Sequence, residues 1–273
     1  MYLLIFGLGY TGAALATEAR ARGWRVSATT RDGREGTIAF GDAPAVQAVI
    51  TSATHIVSMV PPERDADPVL ARYRLGGAWL GYLSSTGVYG DTGGAWVDES
   101  APLLGRRPAR IAADRAWQAL GSRVFRLPGI YGRGRSALDR VRAGNAHRTG
   151  IPGQVFSRVH VDDIVRAIIA GFDASPGVYN LADDLPAPQD DVVTHAARLL
   201  NLPPPPLVPL EKLSPASRAF YAENRRVATG KAKRLLGWRP LYPDYRFGLR
   251  ALSAITSPAP ASAAPPAASQ DQR

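Results

Sequence analysis

The first thirty residues constrain the fold most. Tyr2 to Phe6 is an unbroken apolar run that stops at Gly7. A run this short and this apolar predicts a strand buried on both faces, as in a parallel sheet. Tyr10 to Arg22 then carries small and apolar residues at helical spacing, and Gly23 closes it. Trp24 to Thr30 returns to a strand pattern. Strand, glycine turn, helix and strand make one βαβ unit.

The turn of that unit reads "IFGLGYTG", with Gly7, Gly9 and Gly12 at the spacing G-x-G-x-x-G. In this setting the first glycine permits the sharp turn and the second lets backbone approach a pyrophosphate. The third lets the helix pack closely on the strand. The helix start at Tyr10, Thr11 and Gly12 offers free N–H groups and a positive dipole end to phosphates. The motif carries weight because a buried strand precedes it and a helix follows. A glycine-rich packing turn is the competing reading. A third reading, a secretory leader, has against it the missing positive n-region and the glycines that interrupt the apolar stretch. The chain is therefore expected to be cytoplasmic.

The second strand decides between dinucleotides. NAD sites carry Asp or Glu near its end, about 20 residues on, for the ribose hydroxyls. Here the segment is "TTRDGRE", residues 29–35. Thr30 ends the strand, and Arg31 and Arg34 are placed to hold a 2′-phosphate through charge-assisted bonds. Asp32 competes but falls past the strand end. The expected cofactor is NADP rather than NAD, against the plainer reading of two solvated loop arginines.

The alternation continues down the chain. Helices are expected over 43–53, 67–75, 110–120 and 161–172, the last capped by Asp162 or Asp163. Strands are expected over 55–60, 79–84, 122–127 and 178–181. Strands alternating with helices predict a Rossmann-type, doubly wound α/β sheet. The dinucleotide-binding domain is expected over 1–180, with substrate-lobe insertions at about 130–160. A smaller C-terminal substrate lobe follows over 181–256, with a helix at 187–200, a stiff "PPPP" connector at 203–206, and a mainly helical stretch at 211–236. The tail, 257–273, is rich in Ala, Pro and Ser and is expected to be disordered.

Composition excludes several chemistries. There are no cysteines, which removes disulfides, thiolate nucleophiles and cysteine–zinc sites. The four histidines, His55, His147, His160 and His195, never fall at a metal-ligand spacing, so no metal is expected. No run approaches a membrane span. The net charge of +10 comes almost wholly from arginine, since Lys212, Lys231 and Lys233 are the only lysines. The arginines are scattered, which argues against a nucleic-acid surface, and a small phosphate-bearing ligand fits them equally well.

Three further segments follow strands or open helices: "LSSTGVYG" at 83–90, "FRLPGIYGRGR" at 125–135 and "SRVHVDDIVRAI" at 157–168. With the glycine turn they resemble the extended short-chain dehydrogenase/reductase superfamily, which includes epimerases and dehydratases of nucleotide sugars. The resemblance runs from Met1 to about Leu252. It implies a catalytic role for Ser85, four residues before Tyr89, with its hydroxyl on the reacting oxygen. It implies Pro128 to Ile130 against the nicotinamide, Asp42 near the adenine, and Pro61 beside the cofactor after its strand. Arg135 and Asn180 fall at substrate positions. Ser85 as a strand-end cap and Pro128 as a packed turn are the plainer alternatives.

The superfamily's acid–base pair, Tyr-x-x-x-Lys, is absent: no tyrosine here has a lysine four residues later. If Asp114 takes the place of the acidic residue after the pair, Arg106 stands for the tyrosine and Arg110 for the lysine. Arginine stays protonated and cannot be a general base, although it can bind an anion or polarise an oxygen. Tyr89, Tyr131, Asp114 and His160 are the candidate substitutes. Two functions follow. One is an oxidoreductase or epimerase/dehydratase-like enzyme acting by hydride transfer on a sugar-like or nucleotide-linked small molecule. The other is a non-catalytic NADP(H)-binding sensor or scaffold. A homodimer is implied only by the family resemblance.

Overall fold

The computed structural model describes residues 1–34, 36–63 and 66–256, and the expected disordered tail lies outside the described residues. In chain order the strands are β1 (Tyr2–Phe6), β2 (Arg25–Thr30), β3 (Ile38–Ala39), β4 (His55–Ser58), β5 (Trp79–Ser85), β6 (Trp96–Val97), β7 (Arg123–Leu127), β8 (Gly129–Tyr131), β9 (Arg158–His160), β10 (Gly177–Asn180) and β11 (Arg226–Val227). The helices are α1 (Tyr10–Ala21), α2 (Ala43–Ser52), α3 (Pro68–Arg72), α4 (Pro108–Ala119), α5 (Ala137–Arg142), α6 (Val161–Ala170), α7 (Gln189–Leu199), α8 (Pro215–Phe220), α9 (Gly230–Leu235) and α10 (Tyr245–Thr256).

Seven strands form a parallel sheet in the order β10-β7-β5-β4-β1-β2-β3. β1 sits between β2 and β4, so the strand order reverses there. Ligands of open α/β sheets bind beyond the carboxyl ends at such a reversal. Gly7 leaves β1, Ser85 ends β5 and Pro128 follows β7, so all three emerge on that edge.

The unbroken apolar run of β1 has a direct cause. Leu3 and Ile5 enter one core with Leu15, Phe125 and Ile164, while Leu4 and Phe6 enter another with Val46, Ile56 and Trp117. Both faces of the strand are therefore dry, as expected where helices cover both sides of a parallel sheet. A third core joins Tyr131, Leu138, Val192, Ala196, Tyr245 and Leu249, packing α5, α7 and α10 into a lobe beyond the sheet edge.

A chain of buried polar groups ties these layers together. Asp114 on α4 accepts from the Ser84 hydroxyl at 2.6 Å, from Gln118 at 2.6 Å, and from Arg126 at 2.8 and 3.1 Å. Arg126 also donates to the Tyr89 hydroxyl at 2.9 Å, and that hydroxyl donates to Asn180 Oδ1 at 2.7 Å. Asn180 in turn reaches Ala228 and Glu99. Each donor has an acceptor, which is the condition for a buried ion pair to be tolerated.

The structure corrects three expectations. The cap of α6 is neither Asp162 nor Asp163 but His160, whose Nδ1 accepts from the Asp162 N–H at 3.2 Å. Asp163 is turned to the lobe, where it accepts from the Leu241 and Tyr242 N–H groups. Residues 211–236 are less helical than their composition implies. α8 starts at Pro215 and α9 at Gly230, each of six residues, and Arg226–Val227 pairs instead with Trp96–Val97. The helix after the "VYG" loop begins at Pro108, where a missing N–H costs nothing. Arg106 therefore lies before it. Among the described residues no helix is long and apolar enough to cross a membrane.

Candidate functional site

The three glycines of the first turn have different surroundings. Gly7 has φ +90°, a left-handed conformation that costs a side-chain-bearing residue energy. A Cβ on Gly12 would stand 2.5 Å from the Gly7 carbonyl oxygen, so α1 approaches the turn as closely as backbone allows. A Cβ on Gly9 would meet nothing within 4 Å, so the backbone there is open to an approaching group. Gly9 is the N-cap of α1 and supplies no side-chain cap, and the first turn has no acidic residue. The helix end is left with donors and positive dipole for an anion. These features fit the pyrophosphate of a dinucleotide.

At the end of β2, the Thr30 hydroxyl accepts from the Gly33 N–H at 3.0 Å and lies 2.7 Å from the Thr37 hydroxyl. Asp32 and Arg34 form an exposed pair at 3.7 Å, and Arg31 is exposed. Asp42 follows β3 and caps α2 through the Ala45 N–H at 3.1 Å. Thr11 is buried in α1, and Pro61 is exposed beyond β4.

Beside this edge lies a cavity of about 920 Å³ between sheet and lobe. Ser85, Thr86 and Gly87 line it from β5, Pro128 to Tyr131 from β7 and β8, and Arg106, Arg107 and Arg110 from the start of α4. The lobe contributes Arg135, Arg140, Phe156, Arg158, Glu223 and Arg225. Tyr10 joins cradle and cavity. Its hydroxyl donates to the Arg133 carbonyl at 3.1 Å, and Arg135 stacks over its ring at 5.5 Å. Burial raises the Tyr10 pKa against the opposing charge of Arg135.

Ser85 Oγ accepts from the Gly87 N–H at 3.1 Å, which leaves its own hydrogen free to donate. Arg106 does not face the cavity unpaired. It binds Glu223 at 2.7 Å and the Ala219 carbonyl at 2.9 Å. Glu223 also receives Arg225 at 2.6 Å, and Arg225 donates to the Gly90 carbonyl at 2.7 Å. Burial works to raise Glu223, but the hydrogen bonds of Arg106 and Arg225 outweigh it and hold the carboxyl below its usual range. Arg110 lines the cavity without an ion pair among the described residues.

Tyr89 and Asn180 do not line the cavity; both are committed to the buried polar chain. Asp114 is fully buried there too. Tyr131 lines the cavity, but its hydroxyl is buried against Gly248 with no hydrogen-bond partner, and burial pushes its pKa up. His160 is 3% exposed and its Nδ1 is an acceptor, so the ring is neutral; burial lowers its pKa. Sequence spacing gave no sign of Glu223, Arg225, Arg140 or Arg158 in the cavity. Among the described residues no group of three or more acidic or histidine side chains is placed to hold a metal.

No family model matches the chain. A solved structure of a functionally unknown conserved protein from Silicibacter pomeroyi DSS is 41% identical, covers 93% of this chain and 98% of its own, and superimposes with a TM-score of 0.84. A human epimerase family protein, SDR39U1, solved with NADPH, shares the fold at 18% identity, with a TM-score of 0.74 over 93% of this chain and 99% of its own. The chain shares the Rossmann-like α/β fold of these structures. A dTDP-glucose 4,6-dehydratase from Bacillus anthracis solved with NAD shares the fold too, at 16% identity, with a TM-score of 0.73 over 93% of this chain and 95% of its own. Among curated proteins, a Streptomyces relative called 3-diazoavenalumate denitrifying reductase is 28% identical over 91% of this chain and 99% of its own. The superfamily's tyrosine and lysine have no counterpart in the cavity of this chain.

Proposed function

We propose that the chain is a nicotinamide-dependent reductase acting on an anionic small molecule. The observation that carries this reading is a glycine turn whose Tyr10 contacts Arg133 and Arg135, Arg135 in turn lining a cavity with Ser85 and six further arginines. The Streptomyces relative favours reduction over epimerisation. Gly7, Gly9 and the start of α1 hold the pyrophosphate, Arg31 and Arg34 favour NADP over NAD, and Pro128 to Ile130 back the nicotinamide. When bound, the cofactor supplies a hydride.

The chain's own residues then limit the acceptor. Ser85 donates its hydroxyl hydrogen to a reacting group, and the arginines hold negative charge without exchanging protons. Positioned acid–base help is worth about 10²–10⁴ in rate, and this site lacks the usual pair. A ketone or sugar would suffer that loss, because its alkoxide must be protonated. An aryl diazonium carbon would not. There a C–H bond forms with the hydride pair, the C–N bond breaks with its pair on departing N2, and no proton is consumed. The missing pair also favours a second reading, a non-catalytic NADP(H) sensor.

Titration of purified protein with NADPH and NADH, then cofactor oxidation against aryl diazonium carboxylates, ketones and nucleotide sugars, tests these readings. The expected result is NADPH binding with oxidation by a proton-independent acceptor; tight NADPH binding with no turnover on any of them supports the sensor. Arg31→Ala should weaken NADPH at least about tenfold while sparing NADH, the loss of one charge-assisted contact. Equal losses for both cofactors would refute the NADP assignment.

A further inference from the structure

The charges of the cavity do not balance. Seven arginines line it against two carboxylates, Asp139 and Glu223. Asp139 is taken by the Ser136 N–H and hydroxyl, and Glu223 by Arg106 and Arg225. At the lobe end, Arg140 on α5 and Arg158 on β9 both line the cavity, and the charge of Arg140 disfavours that of Arg158. Arg158 is 7% exposed and donates only to neutral acceptors: the Phe156 carbonyl at 2.8 Å, the Ala187 carbonyl at 2.9 Å and Gln189 Oε1 at 3.0 Å. Arg140 has no ion pair among the described residues.

Asp183 is the one carboxyl that acts on Arg158, and it compensates poorly. Asp183 is 3% exposed with neither oxygen hydrogen-bonded. Burial pushes its carboxyl well above the usual range, which disfavours the negative charge Arg158 would need. A buried cation without an anion is costly, so this end of the cavity favours an anionic guest. Its walls add a second preference. The rings of Phe156 and Phe220 stack at 4.5 Å and 16°, Phe220 is 53% exposed, and Arg158 lies 6.0 Å from the Phe156 ring.

We propose that Arg140 and Arg158 clamp the carboxylate of an aromatic substrate whose ring packs against Phe156 and Phe220. The clamp deepens the reductase reading and rests on it for the identity of the cavity as the substrate site. Two guanidinium forks suit a carboxylate's two oxygens, and the stacked rings suit a flat apolar body.

Benzoate is the probe, with benzamide as its neutral counterpart, each titrated into the full chain and followed by thermal shift and NMR. Benzoate should bind saturably and raise the melting temperature, and benzamide should not. Arg140→Met should weaken benzoate at least about tenfold, and Arg140→Lys should fall between, keeping charge but losing the fork. Benzoate binding unchanged by Arg140→Met, benzamide binding as well as benzoate, or no saturable benzoate response would each overturn the clamp. NADPH titration of the same protein separates the two claims. Failure to bind NADPH refutes the reductase reading, whereas NADPH binding with an Arg140-independent benzoate response refutes the clamp only.

Discussion

Gly9→Val should abolish dinucleotide binding, lowering NADPH affinity by at least about 100-fold, while the protein stays folded. The fold survives because a Cβ at this position meets nothing within 4 Å of protein, and the backbone is at a φ of −89°. A poorer N-cap costs about 1 kcal/mol or less. What is lost is the close approach of a pyrophosphate to the turn. Gly12→Val makes the useful contrast. Its Cβ would stand 2.5 Å from the Gly7 carbonyl, so α1 must shift from the turn, and overpacking of that kind costs about 1–3 kcal/mol. Fluorescence titration and thermal melts distinguish the two. Unchanged NADPH affinity in Gly9→Val would refute the cradle.

The second large effect falls outside the cavity. Asp114→Ala should destabilise the protein by about 3–5 kcal/mol, because it leaves the Arg126 guanidinium buried without its carboxylate. Arg126 and Asp114 are 3% and 0% exposed at their side chains, so water cannot replace the lost partner. The damage should spread to Tyr89 and Asn180, which share the same hydrogen-bonded chain. Urea unfolding measures the loss. A change below about 1 kcal/mol would mean that the pair contributes no more than an exposed salt bridge does.

Much of the fold was legible because local pattern and tertiary burial agree. The run from Tyr2 to Phe6 announced a strand covered on both faces, and its residues do alternate between two dry cores. Legibility failed where a distant partner decides. Asp162 and Asp163 are ordinary capping residues by sequence, but His160 takes that role and Asp163 serves the lobe. Tyr245–Thr256 forms a helix that no sequence expectation marked. Of the residues picked for the site, Ser85, Arg106, Arg110, Pro128 and Arg135 line one cavity, because all lie at strand ends or in the loops beyond them. Tyr89 is adjacent in sequence, but Arg126 and Asn180 draw it into the interior. The pairing of Arg106 with Glu223, 117 residues away, has no local signal at all. That pairing gives the residue standing for the tyrosine a role in joining lobe to sheet.

The proposed activity is hydride transfer in this cavity without the tyrosine–lysine pair. Its most direct test is the fate of the label from 4-deuterated NADPH in ordinary water, with an aryl diazonium carboxylate as acceptor, across pH 6 to 9. The account predicts deuterium at the carbon that carried nitrogen, one N2 released per cofactor oxidised, and a rate without a bell-shaped pH dependence. Protein that binds NADPH yet places no deuterium in product, or that turns over ketones with a bell-shaped profile in preference to the diazonium, would contradict it.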